Sequence, residues 1–224
     1  MLAALTASAL LLPTPAVLSE DVATGTISGR VTLTTRMRGV PISTNAYAPR
    51  AVTHQATPSA PEMRSVVLYL KDVRYKAPLP VSHAQIRQED ESFSPRVVAI
   101  TRGSTVEFPN FDPYFHNVFS LSRVMTFDLG RFRKGEKRER TFARAGVIKV
   151  YCHIHSEMAA TILVFDHHLY TTPGPDGSFA IDAVPAGTYQ LSAWHERIGE
   201  TTTPLKVVAG ADASVEFALP VVEK

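Results

Sequence analysis

The sequence predicts an all-β protein built as β-sandwiches, and three observations carry that expectation. Segments with a detectable period alternate apolar and polar residues at a spacing of two, and none keeps a 3.6-residue apolar stripe over three turns. The 16 prolines and 12 glycines punctuate these runs as turns do in a sandwich. In order, Ile27, Val31 and Leu33 alternate with polar residues, residues 66–73 form a second run, and residues 97–100 and then Val106 with Phe108 follow turn-like breaks. Ile148, Val150 and Cys152 fall on one strand face and Lys149 and Tyr151 on the other, whereas residues 159–165 read as a buried strand. Beyond Asp166 the pattern restarts. Pro-Asp-Gly at 175–177 marks a turn, Phe179 and Ile181 alternate, residues 185–187 turn again, and Tyr189, Leu191 and Ala193 alternate. A strand at 205–208, a turn at Gly210, and Val215, Phe217 and Leu219 close the chain.

A length of 224 residues gives room for two modest cores. With 45% hydrophobic and 20% charged residues, the composition is that of a soluble globular protein, not of a disordered or membrane-resident one. A formal charge of +2 argues against a nucleic-acid partner. The one basic concentration is Arg131, Arg133, Lys134, Lys137, Arg138, Arg140 and Arg144, interrupted by Glu136 and Glu139. It reads either as a solvated hairpin whose charges discourage edge pairing or as a docking patch for an acidic redox partner. Residues 43–63 contain little to bury and read as a linker or loop. Residues 2–12 are almost wholly apolar, too short for a membrane span, and followed by Pro13, Pro15 and Ala16. They suggest a secretory signal over residues 1–19, cut after Ala16 or Ser19, although no Lys or Arg precedes the apolar run; a disordered tail is the other reading. A signal implies a periplasmic or otherwise extracytoplasmic location.

Cys152 is the single cysteine, so no disulfide can form within the chain. It is either a buried thiol acting as a small hydrophobe or a metal-bound thiolate. Its surroundings favour the metal. The stretch Cys152-His-Ile-His155-Ser-Glu-Met158 places a thiol, an imidazole and a thioether in one tight loop after a strand. A cysteine with two histidines and a weak axial methionine is the donor set of electron-transfer copper sites, whereas zinc favours several thiolates or three firm ligands and a water. His116 is the best candidate for the second imidazole, because Phe-Pro-Asn-Phe-Asp-Pro-Tyr-Phe-His-Asn-Val at 108–118 places it at a strand end beside a turn-rich loop. Taken singly, each of these residues is more often ordinary packing, a turn residue or a surface side chain. Their occurrence together around the only cysteine points to copper.

With PRVVAITRGSTVEFPN, then HNV, then GVIKVYCHIHSEM in this order, residues 93–165 resemble a cupredoxin, and in ligand spacing its amicyanin branch. The resemblance implies a Greek-key sandwich over residues 80–166 and one type 1 copper ion on His116, Cys152, His155 and Met158. It further implies that Asn117 ties the two ligand loops together, and that His155 lies near the surface as the electron exit. DGSFAIDAVPAGTYQLSAW, beginning at Asp176, resembles the prealbumin-like carboxypeptidase regulatory-like modules, as does GTISGRV at 25–31. Residues 25–73 are therefore expected to supply the first strands of a smaller sandwich completed by 167–220, with the copper unit inserted; alternatively they form edge strands of the copper unit.

The function expected is single-electron transfer between unidentified redox partner proteins by a chain that is not an integral membrane protein. The rival is a copper carrier, store or sensor with similar ligands. A purely structural adhesion module would rest on the second resemblance alone. An enzyme is not expected: the Cys152-His153 pair resembles the wiring of multicopper oxidases, but further His-x-His pairs are missing. A two-copper centre would need two cysteines. His167, His168 and His195 are expected to be solvated, with packing of Trp194 and His195 at a domain interface as the alternative.

Overall fold

The computed structural model describes residues 16–18, 23–36, 60–75 and 78–222. The apolar stretch 2–12 and all but the end of the 43–63 segment lie outside these residues. Strands β1 (Ala16–Leu18) and β2 (Thr24–Arg36) come first, then a helical turn α1 (Ala60–Met63), β3 (Val66–Leu70) and β4 (Val73–Tyr75). Next come β5 (His83–Gln85), β6 (Arg87–Glu89), β7 (Ser92–Ser94), β8 (Val97–Thr101), β9 (Thr105–Pro109) and β10 (His116–Ser122). They are followed by β11 (Met125–Phe132), β12 (Lys137–Thr141), β13 (Gly146–Tyr151) and β14 (Ala159–Phe165). The last are β15 (Tyr170–Thr171), β16 (Ser178–Pro185), β17 (Gly187–His195), β18 (Gly199–Val207) and β19 (Asp212–Val222). The architecture is an all-β, multi-sheet sandwich. Among the described residues no helix is long and apolar enough to cross a membrane.

Two details differ from the sequence expectation. The run at 66–73 breaks at Lys71-Asp72, where Asp72 takes a positive φ of 55°, so it forms two strands. The end of the presumed linker is α1, held by Met63, which is buried in a core.

Four main sheets stack face to face. A five-stranded sheet of order β11-β10-β13-β14-β8 faces a three-stranded sheet of order β12-β9-β5. Between them lie Phe108, Phe132, Phe142, Ile148, Ile162 and their neighbours, with Cys152 and Met158 at one end. A second pair, β15-β3-β17-β18 and β16-β2-β19, encloses Ile27, Leu68, Leu70, Leu191 and Leu219. Strand β2 pairs in parallel with β19 over eleven residue pairs and antiparallel with β16, while β3 pairs with β15 and β17. Strands β2 and β3 therefore belong to the same sheets as the strands from residue 170 onward, while β1 and β4 pair in parallel with each other.

The pairs meet along a third, smaller apolar layer in which Val67 packs with Val97 and Leu163, flanked by Tyr69, Phe165 and Trp194. This explains why β14 reads as a continuous apolar run. Ala160, Ile162 and Val164 enter one core while Leu163 enters the seam, and a strand covered on both faces has no solvent side to alternate toward. In contrast, β13 alternates: Ile148 and Val150 are fully buried, and Val147 and Tyr151 are exposed.

The expectation that the outlying histidines are solvated is corrected for two of them. His195 is 1% exposed and His167 is 4% exposed. The His167 Nδ1 accepts the Leu169 N–H at 3.1 Å, and its ring packs by Phe165. Burial, then the neighbouring His168, pushes its pKa down from 6.5 to about 4. The folded protein thus keeps this ring neutral where the unfolded chain protonates it, so stability is lost as pH falls from about 6.5 toward 4. Urea unfolding from pH 7 to pH 4 is expected to show wild type losing up to about 3 kcal/mol more than His167→Gln. Parallel curves for the two proteins would refute this.

Candidate metal centre

The site is built where three segments end at one rim of the first sandwich. Asn110, 1% exposed, organises the first of them. Its Oδ1 accepts the Asp112 N–H at 2.9 Å, and its Nδ2 donates to the carbonyls of Tyr114 at 2.8 Å and Phe132 at 3.1 Å. This fixes the turn that the Asn-Phe-Asp-Pro sequence predicts and delivers His116 to the start of β10.

Asp112 is buried and turned inward. Its Oδ2 meets the His116 Nε2 at 2.8 Å and accepts the Glu91 N–H at 2.9 Å, while Oδ1 accepts the Asp90 N–H at 2.8 Å. Asp90 and Glu91 both have positive φ, 53° and 51°, as a two-residue hairpin between β6 and β7 requires. Neither is glycine, so the turn is strained, and the paired hydrogen bonds to Asp112 offset that strain. Burial raises the Asp112 pKa, but the Glu91 N–H, the His116 ring and the Asp90 N–H together outweigh it and hold the carboxyl below its usual range. An ionised carboxylate accepts from Nε2–H, which leaves Nδ1 of His116 as the lone-pair nitrogen.

That nitrogen faces the other candidate ligands. It lies 3.9 Å from Cys152 Sγ and 3.1 Å from His155 Nδ1, and ligand atoms of all three residues fall within 4.8 Å of one another. Cys152 and His116 are buried and His155 is partly so. The loop that carries them closes on itself: the Cys152 N–H donates to the Met158 carbonyl at 3.3 Å and the Met158 N–H to the His155 carbonyl at 3.1 Å. The Ile154 N–H points at Cys152 Sγ at 3.4 Å. Met158 is 1% exposed and belongs to the same core as Cys152.

Asn117 joins the two loops. Its Oδ1 accepts the His153 N–H at 2.7 Å, and its Nδ2 donates to Asp128 at 3.1 Å. His153 turns outward and stacks on Phe119 with ring centres 3.7 Å apart. His167, His168 and His195 lie in or beside the second sandwich and take no part. Phe111, Tyr114 and Phe115 in the loop before His116, and Ile154 beside His155, are exposed, with the Tyr114 ring 6.4 Å from that of His155. The residue that sequence reasoning missed is Asp112. Its signal was an acid four residues before a candidate ligand, in a turn where aspartate is common for local reasons alone.

No protein-family model and no curated protein matches the chain. Among solved structures, a Cu-containing nitrite reductase from Thermus scotoductus SA-01 aligns with 40% of this chain at 29% identity and a TM-score of 0.35, and only 23% of that enzyme's length is covered. A purple cupredoxin from Nitrosopumilus maritimus aligns with 37% of this chain and 99% of its own, at 26% identity and a TM-score of 0.34. A reduced amicyanin variant aligns with 38% of this chain and 83% of its own, at 21% identity and a TM-score of 0.35. Fold and site together define an all-β sandwich protein that carries a candidate His₂Cys metal centre.

The Asn117 bridge can be tested without metal. Asn117→Ala is expected to lower stability by about 1–3 kcal/mol, because the His153 N–H loses its acceptor. Amide exchange should quicken across residues 152–155 while β14 stays protected. Unchanged exchange in that loop would refute the bridging role.

Proposed function

We propose that the chain binds one type 1 copper ion through His116, Cys152, His155 and Met158 and passes single electrons between redox partner proteins outside the cytoplasm. The observation that carries this reading is the convergence of one thiol and two imidazoles within 4.8 Å at a buried rim. Such a mixed soft and intermediate donor set, with a thioether from the same loop, suits both copper oxidation states. Copper held there supplies a one-electron couple between Cu(I) and Cu(II).

The chain's own residues do the rest. Asp112 fixes the His116 tautomer, the Ile154 N–H steadies the cysteine sulfur, and the backbone bonds between Cys152, His155 and Met158 keep the ligand loop closed. A preorganised donor set limits reorganisation when the charge changes. His155, half-buried beside the exposed Tyr114 and Ile154, marks the side on which a partner would dock. We assign the chain no catalytic step. In this reading residues 80–166 form the copper unit, inserted into a carboxypeptidase regulatory-like module made of 25–73 and 167–220; the pairing of β2 with β16 and β19 supports that division.

Addition of Cu(II) to the purified protein is expected to give one copper per chain and an intense visible thiolate band, both lost in Cys152→Ser. A colourless wild type without copper would sink the assignment. Met158→Leu should keep the metal and raise the reduction potential, since loss of the axial donor favours Cu(I); a lowered potential would count against Met158. Asp112→Asn should weaken copper binding by about 10–100-fold, the usual effect of removing a partner that orients a ligand histidine. A reversible couple with rapid self-exchange supports electron transfer. Ready release of copper to a chelator or an apo acceptor would favour the carrier reading instead.

A further inference from the structure

A cavity of about 830 Å³ lies away from the metal centre, at the seam between the sandwiches. Clefts at such junctions, with volumes of roughly 300–1,000 Å³, are where small molecules most often bind. Arg96 and Lys149 line it from the first sandwich, His195, Glu196 and Arg197 from the second, and Glu62 from α1.

The charges in this cleft do not cancel. Glu62 holds Arg197 at 2.9 Å and His195 Nε2 at 3.0 Å, and Glu196 holds Lys149 at 2.7 Å. The Arg197 N–H donates to His195 Nδ1 at 3.3 Å, so His195 is the neutral tautomer that donates from Nε2 to Glu62. Each acid is therefore paired with one cation. Arg96, exposed at the mouth, has no carboxylate partner among the described residues. A second cavity of about 420 Å³ continues the cleft past Arg96 to Arg64, which also lacks one, and no acid lines it. Two guanidiniums without an acidic partner among the described residues flank a walled space, and guanidinium forks match carboxylate and phosphate oxygens in pairs.

We propose that this seam cleft binds a small organic oxyanion, bearing carboxylate or phosphate groups, with Arg96 as its principal contact. The site draws walls from both sandwiches, so the ligand would also tie them together. Lys149 stands on the strand that leads to Cys152, and the cleft wall Ala159 follows Met158 directly, which places the ligand behind the metal-ligand loop.

The test uses the full-length Cys152→Ser protein, which removes chelation at the metal centre and makes the result independent of the copper reading. Calorimetric titration with citrate and, separately, inorganic phosphate at constant ionic strength should show saturable binding of at least one probe, with Kd at or below about 1 mM. Citrate alone identifies a carboxylate site, and phosphate alone a phosphate site. Arg96→Ala should weaken binding by at least about tenfold, the loss of one charge-assisted pair. Arg144→Ala, at the far end of the first sandwich, should leave it unchanged. Absence of binding by both probes, equal affinity in Arg96→Ala, or equal weakening in Arg144→Ala would each overturn the proposal.

Discussion

Where the 110–116 loop, the β6–β7 hairpin and the start of β10 meet, the two oxygens of Asp112 accept hydrogen bonds from two strained backbone amides and one imidazole. A buried carboxylate is expensive unless it is well hydrogen-bonded, and here the partners come from two separate segments, the β6–β7 hairpin and the start of β10. The same contacts that compensate the desolvation of Asp112 fix the hairpin, hold the loop and choose which nitrogen of His116 faces Cys152. The candidate centre is thus organised from its first histidine outward. Cys152, His155 and Met158 need only their own short loop, closed by backbone hydrogen bonds, to meet a partner already in place.

The two loops of the centre differ in how they reach order. The 152–158 loop is local, with its ligands separated by a few residues and its geometry set by backbone bonds within it. The His116 side is assembled over distance, since Asp112 draws on amides more than twenty residues earlier in the chain. Asn117 and its bond to the His153 N–H are the direct link between them.

That difference decides what could be read from the sequence. Period-two alternation exposed β13 and its apolar face, and the close spacing of Cys152, His155 and Met158 showed a donor set because the residues that act together are neighbours in the chain. His116 was legible as a strand-end histidine, although its position beside Cys152 depends on the whole sandwich. Asp112 was not legible, because nothing near it in the sequence says that its partners are Asp90 and Glu91. The burial of His167 was missed for a related reason, and that of His195 was expected only as the alternative to a solvated ring. His167 sits in the bend between β14 and β15, and His195 stands at the end of β17 against Glu62 of α1; period-two patterning says nothing of what covers either place. The break at Lys71-Asp72 rests on a positive φ at an aspartate, which local apolar patterning does not signal.

Strand β14 carries a consequence for how the chain can be divided. One of its faces fills the core beside Cys152 and Met158, and the other fills the seam through Leu163 against Val67 and Val97. Cutting the half with the candidate centre away at residues 80 and 166 would strip Leu163 and Val97 of their cover and turn an apolar layer into a wet, adhesive surface. An isolated half made for electrode or spectroscopic work would therefore need those outward positions repainted with polar residues before it stayed monodisperse.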